Sequence, residues 1–181
     1  MSTDVKSETS SKIEYGKIVG KIAGMMQKEG ALSTGEMAEL RRISPARPFT
    51  PALWRILLIY DLDKSPGWIS QKVWERRWAT LFMGMAHSAG LHNFTISFGE
   101  ALAEAGWSEL RFVQLMRATD DTLETYLRRV AQFLAGKNQE ANWTDVARLL
   151  FYQSGDAGEN IRLSISRDYY SKLYKKEQAA K

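Results

Sequence analysis

The sequence predicts an all-α fold of about eight helices in two packed helical halves. Three observations predict it. Apolar residues recur three and four apart along most of the 181 residues, the spacing of one helix face. Ser, Thr, Asn and Asp stand just ahead of those runs, where an N-cap belongs. No stretch alternates with period two for long enough to make a strand. A hydrophobic content of 44% supplies a core, and 25% charged residues is ordinary for a globular chain.

In chain order, residues 1–11 are rich in Ser and Thr and are expected to form a disordered tail. A first helix is expected from Lys12 to Lys28, with Tyr15, Ile18, Ile22 and Met25 on its apolar face. Gly16, Gly20 and Gly24 weaken it and leave room for a neighbouring backbone. Ser33 and Glu36 spell a capping box for a short helix, Thr34 to Ile43, broken by Pro45 and Pro48. Thr50 caps the next, with Pro51 at its first position. Ala52 to Tyr60 is apolar nearly all round and predicts a buried helix, with Arg55 the exception. Ser70 caps a long helix to about Ser88, and Val73, Trp74, Leu81, Phe82 and Met85 give it a core face.

Leu91 to Ile96 reads as the junction between an N-terminal half (12–90) and a C-terminal bundle (91–181). Phe98 to Ala105 makes a helix closed by Gly106, and Ser108 caps one ending near Arg117. Asp120 or Asp121, with Glu124 in capping-box fashion, opens a helix carrying Leu123, Leu127, Val130 and Leu134 inward. Gly136 fits its left-handed closing position. Asn142 or Thr144 caps a helix to about Gln153, ended by Gly155 and Gly158. A last helix, Glu159 to about Lys176, sets Ile161, Ile165, Tyr169 and Leu173 four apart.

Chemistry is sparse. There is no Cys, so disulfides and thiolate-bound metals are excluded. No apolar run has spanning length, so no membrane role is expected and the chain reads as cytoplasmic. His87 and His92 stand five apart across Gly90, the wrong spacing for a metal pair on one helix face. Asp61 and Asp63 precede Pro66 and Gly67 and read as a solvated turn. No phosphate-cradling loop, dinucleotide fingerprint or nucleophile elbow occurs. No catalytic residue, metal or cofactor is expected.

Positive charge is clustered. The net charge is +4; residues 1–90 carry 13 Lys and Arg against 9 Asp and Glu, and residues 91–181 balance at 12 each. The stretch from Arg41 to Arg55 holds Arg41, Arg42, Arg47 and Arg55 with no acid. Asn160 to Lys181 holds six cations against Asp168 and Glu177. Such clusters are the footprint of a polyanion partner. Arg128 and Arg129 are expected on the polar face opposite Leu127 and Val130. Arg55, inside so apolar a helix, needs a carboxylate, a carbonyl or a phosphate. Arg41 and Arg42 also suit the negative end of a helix dipole. Most of the six Trp are expected to pack in the core; Trp68, in a Pro-Gly loop, is a candidate for a partner surface or for stacking on a base.

The order of several motifs is distinctive: Gly35 to Arg42 (GEMAELRR), Ala52 to Arg55 (ALWR), Ser97 to Gly106 (SFGEALAEAG), Ser108 to Ala118 (SELRFVQLMRA), Leu127 to Arg129 (LRR), Asn142 to Leu150 (NWTDVARLL) and Ile161 to Tyr170 (IRLSISRDYY). Together, over about Gly30 to Tyr170, they resemble the CasB family, the small subunit of the type I-E CRISPR surveillance complex, Cascade. The resemblance implies a two-part helical protein that is not an enzyme. It implies two copies, head to tail, between the large subunit and the helical backbone subunits, helping to hold the guide RNA–target DNA heteroduplex and the displaced strand. The family's basic surface falls here on Arg41, Arg42, Arg55, Arg111, Arg117, Arg128, Arg129, Arg148, Arg162 and Arg167. Glu100 departs from the pattern, standing where a basic residue is expected.

Three rival readings stand beside it. Helices near Ser108–Arg117 and Thr122–Leu134 would suit a helix-turn-helix regulator, although no glycine marks their turn. A metal-dependent nuclease would need carboxylates gathered by the fold. A structural spacer would turn its basic patches to acidic protein partners.

Overall fold

The computed structural model describes residues 13–27 and 29–181. The expected tail over 1–11 lies outside these residues, as do Lys12 and Lys28 at the ends of the expected first helix. Among the described residues there are nine helices, one more than expected: α1 (Tyr15–Met25), α2 (Thr34–Arg41), α3 (Pro51–Ile59), α4 (Gln71–His87), α5 (Phe98–Ala105), α6 (Glu109–Arg117), α7 (Asp120–Gly136), α8 (Trp143–Phe151) and α9 (Gly155–Ala179). There is no strand among them, only the isolated bridges Ser44–Arg47 and His92–Ala141. The fold is all-α.

The capping residues explain most helix starts. Ser33 Oγ accepts the Glu36 N–H at 3.2 Å while Glu36 Oε2 accepts the Ser33 N–H at 2.8 Å, completing the capping box. Thr50, Ser70, Ser97 and Asn142 each accept a backbone N–H of their own first turn.

Other expected ends differ. Ser108 occupies the N-cap of α6, but its side chain makes no cap bond. Thr119, not an aspartate, precedes α7, and Glu124 is held in an ion pair with Arg76 at 2.8 Å instead of folding back on the first turn. Gly136 stays helical, and the left-handed residue beyond it is Asn138, at φ 50°. Gly155 and Gly158 belong to α9 rather than ending α8.

One apolar cluster runs from Tyr15 of α1 to Tyr169 of α9. α4 lies against α7 and also touches α2 and α8; α5 lies along α9. That last contact needs a glycine. A methyl on Gly99 would run into the Ile165 carbonyl and come within 2.9 Å of the Tyr169 nitrogen. Phe112 and Tyr169 stack beside it at 3.9 Å, and the buried Tyr169 hydroxyl donates to the Trp107 carbonyl at 2.6 Å.

Two expectations about packing fail. α3 is not buried all round: Ala52, Leu53, Ile56 and Leu57 face inward, but Leu58 and Ile59 are 61% and 50% exposed, and Trp54 is exposed too. The helix lies at the periphery and packs chiefly on α2, so only one side is covered. None of the three glycines of α1 meets a neighbouring backbone: Gly20 faces the Phe94 ring, Gly16 faces Thr144, and Gly24 faces open space.

Candidate nucleic-acid interface

The C-terminal ends of α2 and α4 meet the middle of α7, and arginines tie the junction. Helix ends leave carbonyls without intrahelical partners. Arg41, in the last turn of α2, donates its Nε to the Ala86 carbonyl at 2.9 Å. Arg128 of α7 donates Nη1 to the Arg41 carbonyl at 3.2 Å. Both bonds use the favourable match of a cation with a helix C-terminus. Neither Nη of Arg41 has a protein partner among the described residues, so its fork stays open to a ligand. Arg42 and Arg129 follow in the chain and are exposed. The Arg129 guanidinium lies 5.7 Å from the Tyr126 ring centroid.

The acids nearby are otherwise engaged. Glu39 accepts the Ala52 N–H at 3.1 Å. Arg76 holds Glu124 and Asp121, at 2.8 and 2.7 Å. Burial pushes the Glu124 carboxyl up, and Arg76 pulls it part of the way back. Among the described residues, no carboxylate pairs with Arg41, Arg42, Arg128 or Arg129. His87 completes the junction; burial pushes its imidazole down, and the charges of Arg128 and Arg41 act the same way. The 44–48 turn closes over Arg128, with Ser44, Pro45 and Pro48 bordering one small crevice with it. Arg128 is thus half-buried, a tie between α7 and α2 as well as a cation on the polar face.

The other six arginines lie elsewhere. Arg55 finds a carboxylate, as its setting demanded, but on an exposed face: it pairs with Glu36, and its side chain is 51% exposed. Arg148 is exposed on α8, 4.0 Å from Asp145. Arg111 and Arg117 are exposed on α6, with Arg111 over the Trp107 ring at 5.5 Å, and Arg167 is exposed on α9. Arg162 is different. It is half-buried and donates to the carbonyls of Met116 (2.9 Å), Gln153 (2.8 Å), Gly158 and Ala118 (both 3.4 Å). Its guanidinium fastens α9 to the end of α6.

Glu100 meets a lysine of its own chain: Lys172 lies 3.4 Å from it and 3.0 Å from Glu104. Lys176 donates to the Ala103 and Glu104 carbonyls, so two cations of the C-terminal cluster close the end of α5. Trp68 lies flat on Tyr152, planes 9° apart and centroids 5.7 Å apart, and remains 49% exposed. Arg77, which drew no attention in the sequence, is half-buried and donates to the Phe151 carbonyl at 3.1 Å. Trp54, expected in the core, stacks on Phe49 in the open.

Among the described residues no group of three or more His, Asp or Glu is placed to hold a metal ion. No described helix is long and apolar enough to cross a membrane.

Several solved structures share the fold. A chain of E. coli Cascade bound to a PAM-containing dsDNA target superposes with a TM-score of 0.65 at 21% identity, covering 87% of this chain and 96% of that one. CasB from Thermobifida fusca gives 0.66 at 18% identity, covering 86% and 97%. A chain of a CRISPR RNA-guided surveillance complex gives 0.63 at 17%, covering 92% and 97%. No curated protein sequence matches. The sequence itself matches one family, CRISPR-associated protein Cse2, over residues 36–170. That span takes in most of α2, the α2–α4–α7 junction and all ten arginines. The motifs that resemble CasB and the fold agree, and the chain belongs to the CRISPR-associated protein Cse2 family.

Proposed function

We propose that this chain is a non-catalytic small subunit of a Cascade surveillance complex. In this reading it holds the sugar–phosphate backbones of the guide–target heteroduplex and the displaced strand, in the cytoplasm. Its neighbours are the large subunit, the backbone subunits and a second copy of itself. The observation that carries the reading is the cluster of Arg41, Arg42, Arg128 and Arg129 at the α2–α4–α7 junction, with no carboxylate partner among the described residues. The E. coli relative of the same fold comes from a complex bound to target DNA, which supports it.

Exchanging a DNA duplex for an RNA–DNA duplex is nearly balanced in base-pair energy, so contacts to the backbone decide the outcome. Guanidiniums on phosphates stabilise the open state and carry no base information. Arg41 suits this task because its Nε is already fixed on Ala86 and its fork is presented with little loss of freedom. Arg111, Arg117, Arg148 and Arg167, exposed on α6, α8 and α9, are further candidate phosphate contacts away from this cluster. Arg162, engaged by four carbonyls, is left out of the footprint, and Arg55 must first give up Glu36.

The test is Arg41→Ala with Arg42→Ala and Arg129→Ala, leaving the half-buried Arg128 in place. Filter binding of single-stranded DNA across a salt series should show weaker affinity, with the log–log slope shallower by about 0.7 for each phosphate no longer neutralised. An unchanged affinity and slope, in a variant with native helicity, would refute the reading. Loss of assembly with affinity intact would favour the spacer. The helix-turn-helix reading fares worse, because α7 opens on Asp120 and Asp121, which repel a phosphate backbone.

A further inference from the structure

Two aromatic side chains beside the arginine cluster are left open to solvent. Phe49 and Trp54 stack on each other, centroids 5.8 Å apart and planes 29° apart. Each is still more than a third exposed, at 39% and 38%. Trp74, Trp78, Trp107 and Trp143 are all buried, so the core accepts indoles and this one stands outside it.

The pair is held in place. Pro48 and Pro51 restrict the backbone on either side of Phe49. The Thr50 hydroxyl accepts the Leu53 N–H at 3.3 Å, and Glu39 anchors the Ala52 N–H, pinning the start of α3 between the two rings. Pro48, directly before Phe49, borders the same crevice as Arg128. The surroundings are basic: Arg42 and Arg47 are exposed and have no carboxylate partner among the described residues.

We infer that the outer faces of Phe49 and Trp54 form a stacking site for one or two unpaired nucleobases of a single strand, whose phosphates lie on Arg42, Arg47 and the adjoining cluster. The inference rests on the phosphate-binding reading of that cluster and adds a base contact to it. Every base has a π face, so the site tolerates any sequence. A duplex keeps its bases stacked on each other, so the site selects an opened strand over a closed one. Charge complementarity supplies the occupant: Arg42 and Arg47 of the 41–55 stretch are exposed with no carboxylate partner among the described residues, while Arg55 is held by Glu36. Leu58 and Ile59, a turn farther along α3, add apolar area but no π face and lie outside the site.

The test compares oligo(dT) with an abasic oligomer of equal length, which has the same phosphates and no bases, using the full-length chain. The wild type should bind oligo(dT) more tightly by about five- to 150-fold for each stacked base. Trp54→Ala and Phe49→Ala should erase that preference and leave the salt slope unchanged, while Trp54→Phe keeps most of it; circular dichroism checks that each variant is folded. Unchanged oligo(dT) affinity in Trp54→Ala, or an equal loss for both oligomers, overturns the stacking site. So does a variant that keeps its nucleic-acid affinity and loses association with a second copy or another subunit, which would make the pair a protein contact. The Arg41, Arg42 and Arg129 triple variant separates the two readings. If it weakens both oligomers while Trp54→Ala weakens neither, phosphate binding stands and stacking falls. If it weakens neither while Trp54→Ala still removes the dT preference, stacking stands and the phosphate reading falls.

Discussion

Replacing Arg162 should destabilise the protein far more than an ordinary surface arginine would. Arg162→Met keeps most of the aliphatic stem and removes the guanidinium. Two short charge-assisted bonds disappear, to Met116 at 2.9 Å and Gln153 at 2.8 Å, with two weaker ones at 3.4 Å. Hydrogen bonds to a charged group contribute about 1.5–3 kcal/mol each, and a carbonyl left without a partner retains its desolvation cost. Counting the two short bonds at the low end, because the site is only half-buried, gives a loss of about 3 kcal/mol. For a chain of this size that lowers Tm by about 6–12 °C. Arg162→Lys should recover little, since one ammonium cannot span the carbonyls that a planar fork reaches. Urea denaturation monitored by circular dichroism measures the effect. A Met variant within about 1 kcal/mol of wild type would refute the reasoning, because water would then be replacing the guanidinium at little cost.

Two further outcomes follow from packing and titration. Gly99→Ala should lose about 2 kcal/mol, since overpacking against an unyielding backbone outweighs the roughly 1 kcal/mol that Ala gains in helix propensity; a thermal melt at or above the wild-type Tm would show that α5 and α9 can part without cost. His92 should make the protein acid-sensitive. Its Nδ1 accepts the Trp143 N–H at 3.2 Å, burial pushes its imidazole down, and the Phe94 ring stands edge-on to it. The folded chain then binds fewer protons than the unfolded one, whose imidazole titrates near about 6.5, so stability present at pH 7.5 is lost as pH falls through that range. His87, also pushed down by burial, adds to the decline. Urea midpoints at about pH 7.5 and 5.5 should differ more in wild type than in His92→Asn, whose amide oxygen can still accept; equal differences would remove His92 from the account.

Most helix starts were legible in the sequence where a local rule decided them, although the Ser108 side chain makes no cap bond. Ser33 with Glu36, Thr50 with Pro51, Ser70 and Asn142 act within one turn, and their side chains do what their spacing says. The reading fails where a distant residue competes. Glu124 has capping-box spacing after Asp121, but Arg76, 48 positions away, takes it. Arg162 looks like any cation in a basic run; its partners are carbonyls at the end of α6, 44 and 46 positions back, and carbonyls leave no mark in a sequence. The run from Ala52 to Tyr60 could not reveal that only one side of α3 is covered, because an apolar residue on an exposed face reads like one in the core. Of the ten arginines, the four at the α2–α4–α7 junction were visible as two adjacent pairs. That the pairs meet depends on α4 lying against both α2 and α7.

The Gly99 contact falls near the midpoint of α9, between Ile165 and Tyr169 of a helix that runs from Gly155 to Ala179. Each arm beyond that point is about 15 Å long at 1.5 Å per residue. The close approach therefore works as a fulcrum, and a tilt of about 10° there would swing the two ends by about 2–3 Å in opposite senses. Arg162, with its hold on α6, lies about 8 Å to one side of that point and Lys176, with its closure of α5, about 13 Å to the other, so the same tilt would shift them by about 1 and 2 Å. A single methyl added at residue 99 would thus be felt at both fastenings, shifted in opposite directions.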